Sequence, residues 1–155
     1  MTEHLLSDRL AIVSVHDPDD RASGTTTGDA IDMSVHRQVM FIVMAGVLDT
    51  TAAARTIDFM VRESATSGGT YTPISGKSIT QITGANGNTQ AVVNVDAAEL
   101  GTGMRYIKGD LRIGGVTGTG NNETAVLALA GHSRFSDAVS STTYGDLASV
   151  GEIVA

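Results

Sequence analysis

The chain has 155 residues, no cysteine, no tryptophan and a formal net charge of −7. This length suits one domain, or one domain with tails, that needs neither a disulfide nor a metal to fold. Without cysteine there is no thiol catalysis and no thiolate zinc site, and ten scattered Lys and Arg argue against binding to nucleic acid or an anionic membrane.

The N-terminal region predicts one strand, a turn, a loop and a second strand. Residues 9–15 form an apolar run typical of a strand, and residues 16–20, with Pro18 among aspartates, predict a turn. Residues 21–28 are polar and predict a loop. In residues 29–35 the apolar side chains recur at every second position, which predicts a strand.

The central segments carry the clearest strand patterns. Residues 38–46 are almost continuously apolar and rich in β-branched side chains, which predicts a buried central strand. In residues 55–63, Ile57, Phe59 and Val61 alternate with more polar side chains, which predicts a half-exposed strand. We interpret the two as neighbours joined by a short loop, with the other strands stacked on this pair.

The next segment contains three local structural indications. Pro73 cannot donate to a strand ladder, so its strand should lie at a sheet edge. Asn86 and Gly87 form a dipeptide typical of a hairpin. Asp96 should cap one helical turn that ends before Gly101.

The last predicted strands lie on either side of a glycine-rich segment. In residues 104–113 apolar and polar side chains alternate, with Ile107 among the apolar side chains of one face. Gly109 falls on the same face and suggests a bulge. Residues 114–122 predict a hairpin tip, and residues 123–130 predict a final strong strand.

These elements predict an all-β fold, an antiparallel β-sandwich of jelly-roll type with about eight strands. Residues 9–135 would form the sandwich. Residues 1–8 and 136–155 would form extended N- and C-terminal arms. The first residues do not resemble a secretory signal, so we expect a soluble protein made in the cytoplasm.

No motif predicts catalysis, a metal or a cofactor. The histidines fit no metal-ligand spacing: His4, His16, His36 and His132. Residues 16–20 lack the ligand pattern of a calcium loop, and residues 114–120 lack the lysine and the following helix of a phosphate-binding loop. No nucleophile elbow accompanies any histidine. We therefore predict a protein that is not an enzyme.

An ordered series of short motifs resembles a family of small virion structural proteins of tailed bacteriophages. The motifs span about residues 29–136: Asp32-Met33, residues 41–46, residues 57–64, residues 71–76 followed by Thr80-Gln81, residues 93–95, Arg105-Tyr106, residues 126–131 and residues 133–135. The family tends to have a proline–valine pair after the last motif, whereas this chain has residues 136–139 without proline.

The resemblance implies a capsid decoration, or cement, protein that binds the outer capsid surface and stabilises the head. It implies the major capsid protein as partner, self-association as a dimer or trimer, and location in the virion. Open sheet edges also favour self-association. The alternatives are a head–tail connector, a tail or baseplate component, or a host-binding protein on the virion surface.

The predicted contact segments with the capsid or with neighbouring subunits are the two ends, residues 1–20 and 134–155. They carry apolar side chains that the sandwich does not need, and the candidate interface residues are Leu5, Leu6, Leu10, Phe135, Tyr144, Leu147, Val150 and Ile153. Val139 and Val154 extend the same pattern. The competing interpretation is that both ends pack on their own sandwich as additional edge strands.

Two truncations separate these interpretations. We expect proteins lacking residues 1–8 or 137–155 to stay folded with a nearly unchanged Tm, because the core lies between the deleted segments. Each should lose capsid binding or self-association, measured by co-sedimentation and light scattering. Unfolding of the truncated proteins would instead place the ends in the core.

Overall fold

The structure, a computed structural model, describes residues 10–48, 55–115 and 122–133. Within these ranges the chain forms ten strands and two 3₁₀ turns, at Gly84–Asn86 and Ala97–Glu99. The strands are β1 Leu10–Asp20, β2 Gly24–Thr27, β3 Ile31–Asp32, β4 His36–Leu48, β5 Thr56–Ser64, β6 Thr72–Ser78, β7 Ile82–Thr83, β8 Gln90–Asp96, β9 Tyr106–Gly114 and β10 Asn122–Ser133.

The strands form two antiparallel sheets that face each other. The four-stranded sheet has the order β1-β10-β4-β8. In the six-stranded sheet β2-β9-β5-β6 are neighbours, β3 pairs with β9, and β7 pairs with β5. This confirms the predicted all-β antiparallel sandwich, while its jelly-roll character stays a prediction.

The core lies between the sheets and centres on two phenylalanines. Phe41 on β4 and Phe59 on β5 are each 1% exposed, and their ring centroids lie 5.4 Å apart with the planes at 49°. A tilted pair of this kind stabilises by about 0.5–1.5 kcal/mol beyond the burial of its surface. The pair therefore fixes the position of one sheet over the other.

Gly109 on β9 makes room for this pair. A Cβ at this position would lie 2.6 Å from Cζ and 2.8 Å from Cε2 of Phe59, and 3.1 Å from Cε1 of Phe41. The register between β5 and β9 runs without interruption from Thr56 to Ser64. The predicted bulge at Gly109 is therefore wrong: the glycine provides space for aromatic rings in a regular strand.

A polar contact also links the sheets at one side of the core. His16 on β1 is 5% exposed and donates a hydrogen bond to the backbone carbonyl of Gly109 on β9. Ser14 Oγ accepts a hydrogen bond from the Asp29 amide at 3.1 Å. An irregularity between Ile12 and Ser14 turns Ser14 and His16 towards the interior.

Burial determines the protonation of His16. Burial, followed by the charge of Arg21, lowers the pKa of His16, and the contact with Gly109 and the charges of Asp29 and Asp110 oppose this. Nδ1 of His16 has no hydrogen-bond partner within the described residues. The neutral imidazole is therefore the form that suits the folded state.

The predictions for the N-terminal third need three corrections. The turn predicted at residues 16–20 is wrong, since β1 continues to Asp20 and an irregularity accommodates Pro18 on this edge strand. The loop predicted at residues 21–28 contains β2, a threonine-rich edge strand. The strand predicted at residues 29–35 is only two residues long, because the Asp32 carboxylate accepts from the Ser34 amide and forms a turn.

The predicted pairing of the central strands is also wrong. β4 pairs with β10 and β8, whereas β5 pairs with β9, β6 and β7, so the two strands lie in opposite sheets. For the same reason neither predicted hairpin forms. The connection through Gly87 crosses between sheets from β7 to β8, and residues 114–122 connect β9 of one sheet to β10 of the other.

Two local predictions are confirmed. Pro73 lies on β6, at the edge of the six-stranded sheet. Asp96 caps the 3₁₀ turn: its side chain accepts from the Ala98 amide, and Glu99 accepts from the Asp96 amide, both at 2.9 Å. Secondary structure that depends on local hydrogen bonds was thus predictable, whereas strand pairing was not.

The space at Gly109 can be tested by filling it. We expect Gly109→Ala to destabilise the protein by about 1–3 kcal/mol, because the added methyl group overlaps the Phe59 ring. Chemical denaturation measures this loss. Gly68→Ala is the control, since a Cβ there would meet nothing within 4 Å and the backbone is not in the left-handed region. A second change, Phe59→Leu, should make the loss at Gly109 smaller, and full additivity would contradict the account.

The buried imidazole predicts a pH dependence. The pKa of His16 is lower in the folded state than in the unfolded state. Its contribution to the free energy of unfolding is therefore complete above the unfolded-state pKa of about 6.5, and it is lost as the pH falls through the folded-state pKa. Burial also lowers the pKa of His36. We expect the free energy of unfolding to decrease from pH 7.5 to pH 5, with a smaller slope in His16→Gln. An identical slope in that variant would contradict this assignment.

Candidate interaction surface

The four-stranded sheet is apolar on its outer side as well as on its inner side. Strand register places outward side chains in rows across the sheet. One row contains Ile12, Leu129, Met40 and Asn94, and the next contains Val15, Leu127, Ile42 and Val92. No charged side chain occurs in either row.

We call this surface the apolar face and define it by eight residues: Ile12, Val15, Met40, Ile42, Met44, Val92, Leu127 and Leu129. Val92 is 53% exposed and Met44 is 37% exposed, and the other six are half-buried. Single exposed apolar residues are ordinary, but a contiguous group of large ones is typical of an interaction site.

The sequence did not identify this face, although a trace of it was present. In β4, the inward residues Val39, Phe41 and Val43 alternate with Met40 and Ile42, so both sides of the strand are apolar. Such a run predicts a buried central strand. The structure instead leaves the second side as a surface of the described part of the chain.

The outer side of the six-stranded sheet has the opposite chemistry. Arg62 Nη1 lies 3.1 Å from Asp110 Oδ2, and Lys108 Nζ lies 4.8 Å from the centre of the Tyr71 ring. Asp58 lies directly opposite Arg112 on the neighbouring strand. This outer face is therefore charged and its charges are largely matched.

A further ion pair lies at the end of the same sheet. Arg105 Nε donates to Asp32 Oδ1 at 2.9 Å, and Arg105 Nη2 donates to Asp32 Oδ2. This bidentate contact lowers the pKa of Asp32 to about 2. The carboxylate therefore stays ionised far below neutral pH, as suits a structural ion pair.

Two depressions lie at opposite ends of the four-stranded sheet. One, which we call the trough, has a volume of about 340 Å³, and its outward side chains belong to Leu10, Gln38, Met40, Asn94 and Leu129, with Gly131 between them. The other is about 560 Å³ and is lined by Met44, Ala125 and the acidic residues Asp19, Asp20 and Glu123, among others.

Of the predicted interface residues, only Leu10 is described. It is half-buried at the start of β1, lies opposite Gly131 of β10 and forms part of the trough. The remaining residues predicted for the interface lie outside the described residues: Leu5, Leu6, Phe135, Tyr144, Leu147, Val150 and Ile153. The predicted arms, residues 1–8 and 136–155, lie outside them too.

Two other kinds of feature, a metal-binding cluster and a membrane-spanning helix, are absent from the described part of the chain. Residues 10–48, 55–115 and 122–133 contain no group of three or more His, Asp or Glu side chains arranged to hold a metal ion. The same ranges contain no helix long and apolar enough to cross a membrane.

Neither the protein-family models nor the curated proteins provide a match to this chain.

Proposed function

We propose that this chain is a non-enzymatic structural protein of a phage virion, and that it decorates the outer surface of the capsid. The observation that supports this role is the contrast between its two outer faces. One is apolar and uncharged across two rows of side chains, and the other carries matched charges. A sandwich of this kind can bind a large partner on one side and remain hydrated on the other.

The energetics suit attachment to a large surface. Burial of apolar area contributes about 25 cal/mol per Å², and the half-exposed side chains of the apolar face still have area to bury. Their strands are held by the core behind them, so little conformational entropy is lost on binding. The net charge of −7 opposes non-specific association with nucleic acid.

The resemblance to small phage structural proteins supports a choice of partner. It favours the major capsid protein as the binding surface and the assembled virion as the location of the chain. A connector, a tail or baseplate component, and a host-binding protein are the other outcomes that the experiments below can distinguish.

Copy number tests the role directly. Quantitative mass spectrometry of purified virions should find the chain at a level comparable to the major capsid protein, because a decoration protein repeats over the shell. About a dozen copies or fewer would indicate a connector or tail component. Binding of the isolated protein to host cells would indicate a host-binding protein.

Face variants test the binding surface. We expect Val92→Lys to weaken binding to capsids at least tenfold, because it would bury an unpaired ammonium group. Val92 is 53% exposed, so the fold should tolerate the change. Met60→Lys is the matched control, since Met60 is 36% exposed on the outer side of the six-stranded sheet. Co-sedimentation with capsids measures binding, and equal loss in the control would contradict the assignment.

A further inference from the structure

The trough has a definite structural cause. Gly131 lies in the middle of the row formed by Leu10, Gly131, Gln38 and Asp96, and it contributes no side chain to that row. Met40 and Leu129 from the next row border the resulting space of about 340 Å³. The trough thus offers an apolar floor that could accept one or two large side chains.

Gly131 is not required by the backbone. Its φ is not in the left-handed region, and a Cβ would meet only Leu10 Cδ2, at 3.5 Å. A β-branched residue would fit this strand and fill the space. The described fold therefore does not explain the absence of a side chain here, whereas an occupant of the trough would.

The undescribed ends of the chain begin beside the trough. Leu10, the first described residue, pairs with Gly131, and β10 ends two residues later at Ser133. Residues 134–155 follow, which is a length of 22 residues. Fully extended, such a segment spans about 70 Å, which is far longer than the sheet.

The chemistry of residues 134–155 matches the trough. Beyond Arg134 this segment has no Lys or Arg, and its charged residues are Asp137, Asp146 and Glu152. Its large apolar side chains are spaced along the segment: Phe135, Val139, Tyr144, Leu147, Val150, Ile153 and Val154. The uncharged trough can accept these side chains without burying an unpaired charge.

The direction of β10 favours a different subunit as the acceptor. β10 passes the trough at Leu129 and Gly131 and ends beyond it at Ser133, so the chain leaves the trough of its own subunit. A second copy can place the segment that follows β10 in this trough without a reversal of chain direction.

Pairing along the β1 edge is a less suitable route to self-association. β1, one edge of the four-stranded sheet, contains two irregularities, Pro18 and three aspartates, all of which oppose pairing with another strand. We propose that the trough receives the C-terminal segment, residues 134–155, of a second copy of the chain. This inference goes beyond the proposed function, because it applies whether or not the partner is a capsid.

The test combines filling of the trough with removal of the segment. Light scattering should find an oligomer for the full chain, and a monomer both for the chain lacking residues 137–155 and for full-length Gly131→Val. Both proteins should keep the Tm of the full chain to within a few degrees. Thr25→Val is the control, since it adds an apolar side chain to β2 of the other sheet and should leave the oligomer unchanged.

A peptide of residues 137–155 tests the contact itself. It should bind the truncated chain with one site per subunit, and Gly131→Val in that chain should weaken binding at least tenfold. Three results would each overturn the proposal. They are a full-length monomer at high concentration, an oligomer that persists in Gly131→Val, and peptide binding that is unchanged by Gly131→Val. Capsid binding by Val92→Lys is measured separately, so failure here leaves the proposed function to its own test.

Discussion

The contact between Phe41 and Phe59, with Gly109 beneath it, is the constraint on which the sandwich depends. The two rings come from different sheets and lie 5.4 Å apart. The two rings can approach each other only because Gly109, on β9, has no Cβ. His16, on the four-stranded sheet, donates a hydrogen bond to the carbonyl of the same glycine. Gly109 therefore takes part in both the aromatic and the polar contact between the two sheets. Since the inner sides of both sheets are committed to this core, contacts with another molecule use the outer sides, the sheet edges or the connecting segments.

The two outer sides then differ in what they can do. On the six-stranded sheet, ion pairs such as Arg62 with Asp110 satisfy the charges within the chain. On the four-stranded sheet, β4 and β10 present Met40, Ile42, Leu127 and Leu129 as neighbours across the strands. The fold therefore directs attachment to one side. On that side the apolar face lies between two different depressions, the trough at Gly131 at one end and the acidic depression near Glu123 at the other.

Local chemistry in the sequence was sufficient to predict part of this arrangement. Period-two alternation placed Ile57, Phe59 and Val61 on one side of β5, and these residues are fully buried. The cap at Asp96 was also predictable. Strand partners were not, because periodicity reports the side on which a residue lies and not the strand beside it. Gly109 could have been a bulge or a close approach, and only the position of the Phe59 ring decides between them. The apolar face was missed because a continuous apolar run looks the same whether its second side is buried or exposed.

The central claim is that the chain attaches through its four-stranded sheet. A reconstruction of the virion that places the subunit tests it most directly. The account predicts that Met44, Val92 and Ile42 face the shell or a neighbouring subunit, while Asp58, Arg62 and Arg112 face solvent. A subunit with its charged six-stranded sheet against the shell and its apolar face in solvent would contradict it.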